Sequence, residues 1–287
     1  VFYWIYDIST ESLTLLFAAV FVGFTWFGII FLRPFLRLFV GPRHNSNEVL
    51  GYILSCYCVF YGLLIGLVAV AAYQNYNSVE TAVAHEAAVL EALYRDITSY
   101  PEPTRSAAQS IVAEFTRFLI EESWPAQQKG QIAAGASIHL AALEEVLRIF
   151  EPETKSQEIM HAETIRQFNH LAEQRRLRLH SVSTGIPAYL WYVVVIGAVV
   201  NIVLIWLFDI RLVPHLFIGG LLAFFIGTVI CLIAVMDNPF RGEVSISSDD
   251  FRDVYESLMS SHGSLDERGD SGAETEDTSE YARSSES

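Results

Sequence analysis

The 287-residue chain is 52% hydrophobic and only 18% charged, with a mean hydropathy of +0.34, which excludes an ordinary water-soluble domain. Ten of its fifteen net negative charges fall in the last 45 residues, and no segment carries the basic surplus that phosphate contacts need, so nucleic acid is excluded as a partner. Cys56, Cys58 and Cys231 all lie in apolar runs, which excludes a disulfide framework or a zinc knuckle.

In chain order, four stretches lack any Asp, Glu, Lys or Arg: Ser12 to Leu32, Val49 to Val79, Ser181 to Phe208 and Leu212 to Met236. A membrane-crossing helix needs about 20 such residues, and a charge at mid-bilayer costs about 2.5–3.5 kcal/mol on insertion scales. The spacing therefore predicts transmembrane cores at 12–32, 50–73, 187–208 and 213–236. The first run has no basic region before it and Arg33-Pro34 after it, so it reads as a retained helix, not a secretory signal. The chain starts at Val1, and further residues are expected to precede it.

The loop at 33–48 carries Arg33, Arg37 and Arg43, which the positive-inside rule would place in the cytoplasm, while Arg175, Arg176, Arg178 and Arg241 flank the membrane on the other side. The charges leave orientation open.

Helix one shows Phe17, Phe21, Phe24, Phe31 and Phe35 near one face, for lipid contact or packing. On helix two, Gly51, Ser55, Cys58, Gly62, Gly66 and Ala69 fall at steps of three and four, so six small side chains share one face. Such a stripe lets another backbone approach closely, and on an oligomer axis it would line a pore; both readings stand. Helix four repeats the stripe with Gly219, Ala223 and Gly227.

The segment between helices two and three, residues 77–184, reads as a helical bundle punctuated by proline. Its stripes are Val79, Val83, Leu90, Leu93 and Ile97, broken at Pro101 to Pro103; Ala108, Ile111, Val112, Phe115, Phe118 and Leu119, ending at Trp124-Pro125; Ile132, Leu140, Leu143, Leu147 and Phe150; and a run from Pro152 to about Ser183. No breaker stands between Val49 and Ser99, so helix two should continue out of the membrane, and the last insert helix should run on to Pro187. The resulting fold class is an all-α membrane protein: four transmembrane helices in two pairs (1–76 and 185–242), a helical-bundle insert between the second and third, and an acidic tail at 243–287, disordered beyond about 260.

The chemistry is sparse. His85-Glu86 lacks the second histidine of a zinc-protease helix, and Glu158-Ile159-Met160-His161 is one Glu-x-x-His where a di-iron bundle needs two. No enzyme, metal site or cofactor is expected, and His161 and His170 read as solvated. The span cores hold no carboxylate, Lys or Arg, which disfavours proton-relay pumps and voltage sensors but leaves a passive pathway open. Arg175, Arg176 and Arg178 admit three readings: an anion-attracting mouth in an oligomer, a phospholipid headgroup contact, or interfacial anchoring. Asp237 would oppose the first.

Several short motifs, in order and at matching distances from the spans, resemble the bestrophin-like family. They are Glu86-Ala87 after helix two, Trp124-Pro125, Arg175-x-x-Arg178-Leu179, Ile186-Pro187 with Trp191, and Asp237-Asn238-Pro239-Phe240-Arg241-Gly242 after helix four. The resemblance implies a multi-pass protein of the cell (inner) membrane, a homo-oligomer in contact with lipid, and a channel for a small anion, chloride or bicarbonate, with helix two at the axis. It also implies a cytoplasmic insert and cytoplasmic termini, contrary to the loop charges, and a constriction at Phe60 and Tyr61. The rival reading is a non-conducting scaffold or signalling protein whose insert binds a partner.

Overall fold

The computed structural model describes residues 8–33, 35, 46–133, 135–183 and 185–259; Arg37, Arg43 and the tail beyond 260 lie outside them. Every regular element among the described residues is helical. They divide into two compact units, one drawn from the chain up to Glu80 with Ser183–Ile246, the other from Thr81–Val182 with the residues from Ser247 onward.

In the first unit, α1 (Thr10–Phe27) closes on a π-helical turn, Gly28–Leu32. The long helix α2 (Ser46–Ile97) contributes its N-terminal part, and α7 (Ala188–Trp206) and α8 (Leu212–Asp237) complete the set. All four are long and apolar enough to cross a membrane. Their outward faces carry Val213, Phe217, Leu221 and Phe225 at a four-residue spacing on α8, and Tyr192 and Ile196 on α7, all more than 60% exposed. Water would penalise that surface by about 25 cal/mol per Å² of apolar area; hydrocarbon does not, and the protein is an integral membrane protein.

Between the helices, Tyr61, Ile65, Val68 and Ala72 of α2 meet Val194 and Ala198 of α7 and Ile226, Ile230 and Ile233 of α8. Several polar side chains on these helices find backbone carbonyls on a neighbouring helix, as a medium without water favours. The Tyr57 hydroxyl donates to the Gly197 carbonyl (2.8 Å), the Tyr61 hydroxyl to the Val194 carbonyl (3.1 Å), and the Trp206 indole to the Thr25 carbonyl (3.1 Å). The small residues of α8 serve packing: a Cβ on Gly227 would lie 3.0 Å from the Phe17 carbonyl oxygen of α1, so the two backbones nearly touch there.

The second unit holds the rest of α2, then α3 (Thr104–Phe118), α4 (Trp124–Gln128), α5 (Ala136–Ile149), α6 (Lys155–Ser183) and a short α9 (Asp249–Val254). Four sequence expectations change here. Trp124-Pro125 does not end a helix: a π-helical turn at Leu119–Ser123 leads straight into α4, and the Trp124 N–H reaches back to Leu119. The slipped register carries the chain past a ring that would clash in regular α-helix.

The last insert helix stops at Ser183 instead of running to Pro187, because Gly185 and Pro187 interrupt it and the Ile186 N–H donates to Asp237 Oδ1 (2.5 Å). The chain after Glu243 is not featureless either, since Phe251 and Val254 of α9 are buried. Ile132 lies outside α5 and is 55% exposed, leaving Leu140, Leu143 and Leu147 as the buried face of that helix.

Candidate functional site

The apolar stripe on the C-terminal part of α2 has one charged member. Val79, Val83, Leu90, Leu93 and Ile97 step along one face, and Glu86 fills the gap between Val83 and Leu90. On α6, Thr164, Phe168 and Leu171 continue at helical steps to Arg175 and Arg178, with Arg176 off the stripe. An acid and a base, each in line with buried residues on its own helix, are thereby brought together.

Arg178 Nε donates to Glu86 Oε2 (2.6 Å) and Nη2 to Oε1 (3.1 Å), and Nη1 donates to Gln127 Oε1 (2.5 Å). The Gln127 amide in turn donates to Ser123 Oγ (2.8 Å). The guanidinium carbon lies 5.4 Å from the Trp124 ring centre and 5.8 Å from that of Phe251, and the two rings meet edge to face. Both charged side chains are wholly buried. Taking two charges out of water is costly, and the two-pronged geometry plus a third acceptor is what offsets it. Gln127, Ser123 and Phe251 escaped the sequence reading; the steps Ser123-Gln127 and Phe251-Val254 are the signals that could have found them.

The three arginines therefore do not act alike. Arg178 is spent on Glu86 and is offered neither to a headgroup nor to an anion, which corrects that part of the expectation. Arg176 is exposed. Arg175 is half-buried, its Nε is enclosed without a hydrogen-bond partner, and among the described residues no carboxylate pairs with it. An enclosed donor left unpaired costs about 1–3 kcal/mol. Burial, with the neighbouring Arg178 charge, lowers the Arg175 pKa below its usual value, and Glu86 only partly opposes this.

Asp237 is likewise committed, to the Ile186 N–H and the Trp191 indole (3.1 Å), so it fixes the turn that enters α7. Pro187 stands just ahead of α7. The turn after α8 is closed by the Ile246 N–H donating to the Pro239 carbonyl (2.9 Å), with Phe240 buried beneath it and Gly242 at φ 88°, where a side chain would be strained. Pro125 is exposed on α4. His161 is not simply solvated: its Nδ1 lies 2.7 Å from the Tyr100 hydroxyl, between the Tyr100 and Phe150 rings, and burial lowers its pKa. His170 is exposed. No group of three or more metal-ligating side chains occurs among the described residues.

The small-residue face of α2 splits in two. A Cβ added at Gly51, Gly62 or Gly66 would meet nothing within 4 Å, and Ser55 is exposed, donating to the Gly51 carbonyl (2.8 Å). Cys58 turns toward α7, where its sulfur accepts from the Asn201 amide (3.6 Å). At 100° per residue the open positions lie about a quarter-turn from the packed Tyr61, Ile65 and Val68. Tyr61 thus belongs to the helix core, and Phe60, 68% exposed, is well round from both faces. The expectation of a shared Phe60 and Tyr61 constriction does not fit this phase.

The Bestrophin-like domain family matches residues 16–251. Among solved structures, a bacterial bestrophin homologue from Klebsiella pneumoniae, in a single-residue variant, has a TM-score of 0.59 at 12% identity, covering 86% of this chain and 97% of its own. A crystal structure described as a membrane protein, also a variant, gives 0.58 at 11% identity with the same coverage. No curated protein matches the sequence significantly. The family match takes in most of the first span, the other three spans and the whole insert, and the chain belongs to the bestrophin-like family.

Proposed function

We propose that this protein is an anion channel of the cell membrane, assembled from several copies of the chain around an axis lined by α2. The observation that carries the reading is the open flank of α2. Gly51, Ser55, Gly62 and Gly66 present little but backbone to their surroundings, while the neighbouring face of the same helix is packed against α7 and α8. A helix that is buried on one side and bare on the next is suited to a close-packed axis or a narrow aqueous path. The absence of Asp, Glu, Lys and Arg from Val49 to Val79 favours passive conduction over pumping. Family membership and the likeness in fold to a bacterial bestrophin homologue support the same reading.

Reconstitution in planar bilayers tests it. The expected result is a conductance whose reversal potential follows the chloride gradient, and which falls when Gly62 is replaced by Phe. Silence across a range of voltage, calcium and pH, together with a monomer or an assembly whose axis is filled by side chains, would replace the channel with a non-conducting scaffold.

A further inference from the structure

Two guanidinium groups one helical turn apart on α6 face a single buried carboxylate. Arg178 takes both oxygens of Glu86, and its remaining contact is the neutral Gln127. Arg175, in line with the buried Thr164, Phe168 and Leu171, brings a second positive charge to the same enclosed region with its Nε unpartnered. Gln127 and Ser123 add no charge, and neither do the Trp124 and Phe251 rings, centred 5.4 and 5.8 Å from the Arg178 guanidinium carbon. The centre thus holds one positive charge more than its carboxylate balances, with the Arg178–Glu86 pair dry and Arg175 only partly reached by water. Burial and Arg178 both act against the charged form of Arg175, and a bound anion would reverse that.

We propose that Arg175 holds a small inorganic anion, chloride being the first candidate, as the counter-charge of this centre. The guanidinium supplies planar N–H donors as well as charge, so the site requires arginine and not merely a cation. This site lies outside the α2 flank and does not depend on conduction: the anion is held whether or not ions cross the membrane.

The test is thermal unfolding of the purified full chain in detergent, with chloride exchanged for gluconate at constant ionic strength. The unmodified protein should gain about 2–4 °C in Tm, saturably, once chloride exceeds its dissociation constant several-fold. Arg175→Gln should fold and lose that gain, Arg175→Lys should lose most of it, and Arg176→Gln should keep it. Anomalous diffraction from bromide-soaked crystals gives a readout that needs no variant, with the peak expected beside Arg175.

The proposal is overturned by an absence of chloride dependence in the unmodified protein, by the same dependence in Arg175→Gln, or by equal loss in Arg176→Gln, which would indicate a diffuse surface field. A response to added anionic phospholipid alone would also overturn it and assign the arginine to a headgroup. Dissociation of an oligomer by Arg175→Gln without any anion effect would assign it to a partner's carboxylate. A protein that binds chloride here yet passes no current would leave this site standing and remove only the channel.

Discussion

Arg178 and Glu86 lie 92 residues apart in the chain and meet through two hydrogen bonds, with neither side chain touching solvent. Replacing one partner strands the other in a dry interior. Glu86→Ala or Arg178→Ala is expected to cost about 3–5 kcal/mol of stability, whereas Glu163→Gln, which releases the exposed Arg166, should leave unfolding unchanged. Thermal or denaturant unfolding of the three variants side by side checks this ranking, and equal losses in all three would refute it.

His161 gives the second unit a pH dependence of predictable sign. Burial lowers its pKa below the usual imidazole value of about 6.5. As pH falls through that value the unfolded chain takes up a proton that the folded one resists, so stability is full above about 6.5 and declines below it, until the lowered folded-state pKa is passed. Protonation would also leave Nδ1 able only to donate toward the Tyr100 hydroxyl. His161→Phe should flatten the unfolding profile on the acid side of neutrality; an unchanged slope would show that other groups set it.

Two glycines should respond oppositely to one methyl group. Gly227→Ala pushes a Cβ to 3.0 Å from the Phe17 backbone and is expected to destabilise the protein by about 1–3 kcal/mol. Gly62→Ala meets nothing within 4 Å of the new Cβ and should stabilise it by about 0.5–1 kcal/mol through helix propensity. Melting curves decide between them. A loss at Gly62 as large as at Gly227 would show that another copy of the chain packs tightly on that flank.

Asp237 secures the entry to α7 by accepting from the Ile186 N–H and the Trp191 indole. Asp237→Ala leaves both donors unsatisfied, for about 1–3 kcal/mol, and should loosen the turn locally. Faster amide exchange at Ile186 and an altered Trp191 emission are the expected signs, and protection equal to that of the parent protein would count against this role.

Lipid makes the spans legible from sequence, because a charge-free run of some twenty residues is a demand few other environments impose. The charged centre follows a subtler rule. Arg175, Arg176 and Arg178 are chemically identical in a string of letters, and what separates them is their phase against Phe168 and Leu171, which becomes decisive only once a second helix brings Glu86 alongside. Phe251 was obscured by acidic neighbours; two apolar residues at a three-residue step sufficed to bury a helix too short for any periodicity argument. Tyr61 sits on the α2 sequence beside Gly62, yet 100° of rotation sends one into the core and the other to the surface.

The three thiols of the chain are unequally placed: Cys231 is buried, Cys58 is half-covered beside Asn201, and Cys56 alone is exposed. Cys56 falls within the membrane-crossing part of α2, so a charged, membrane-impermeant maleimide should modify it only where water reaches that helix, and its rate of modification reads directly whether lipid or an aqueous path lies alongside.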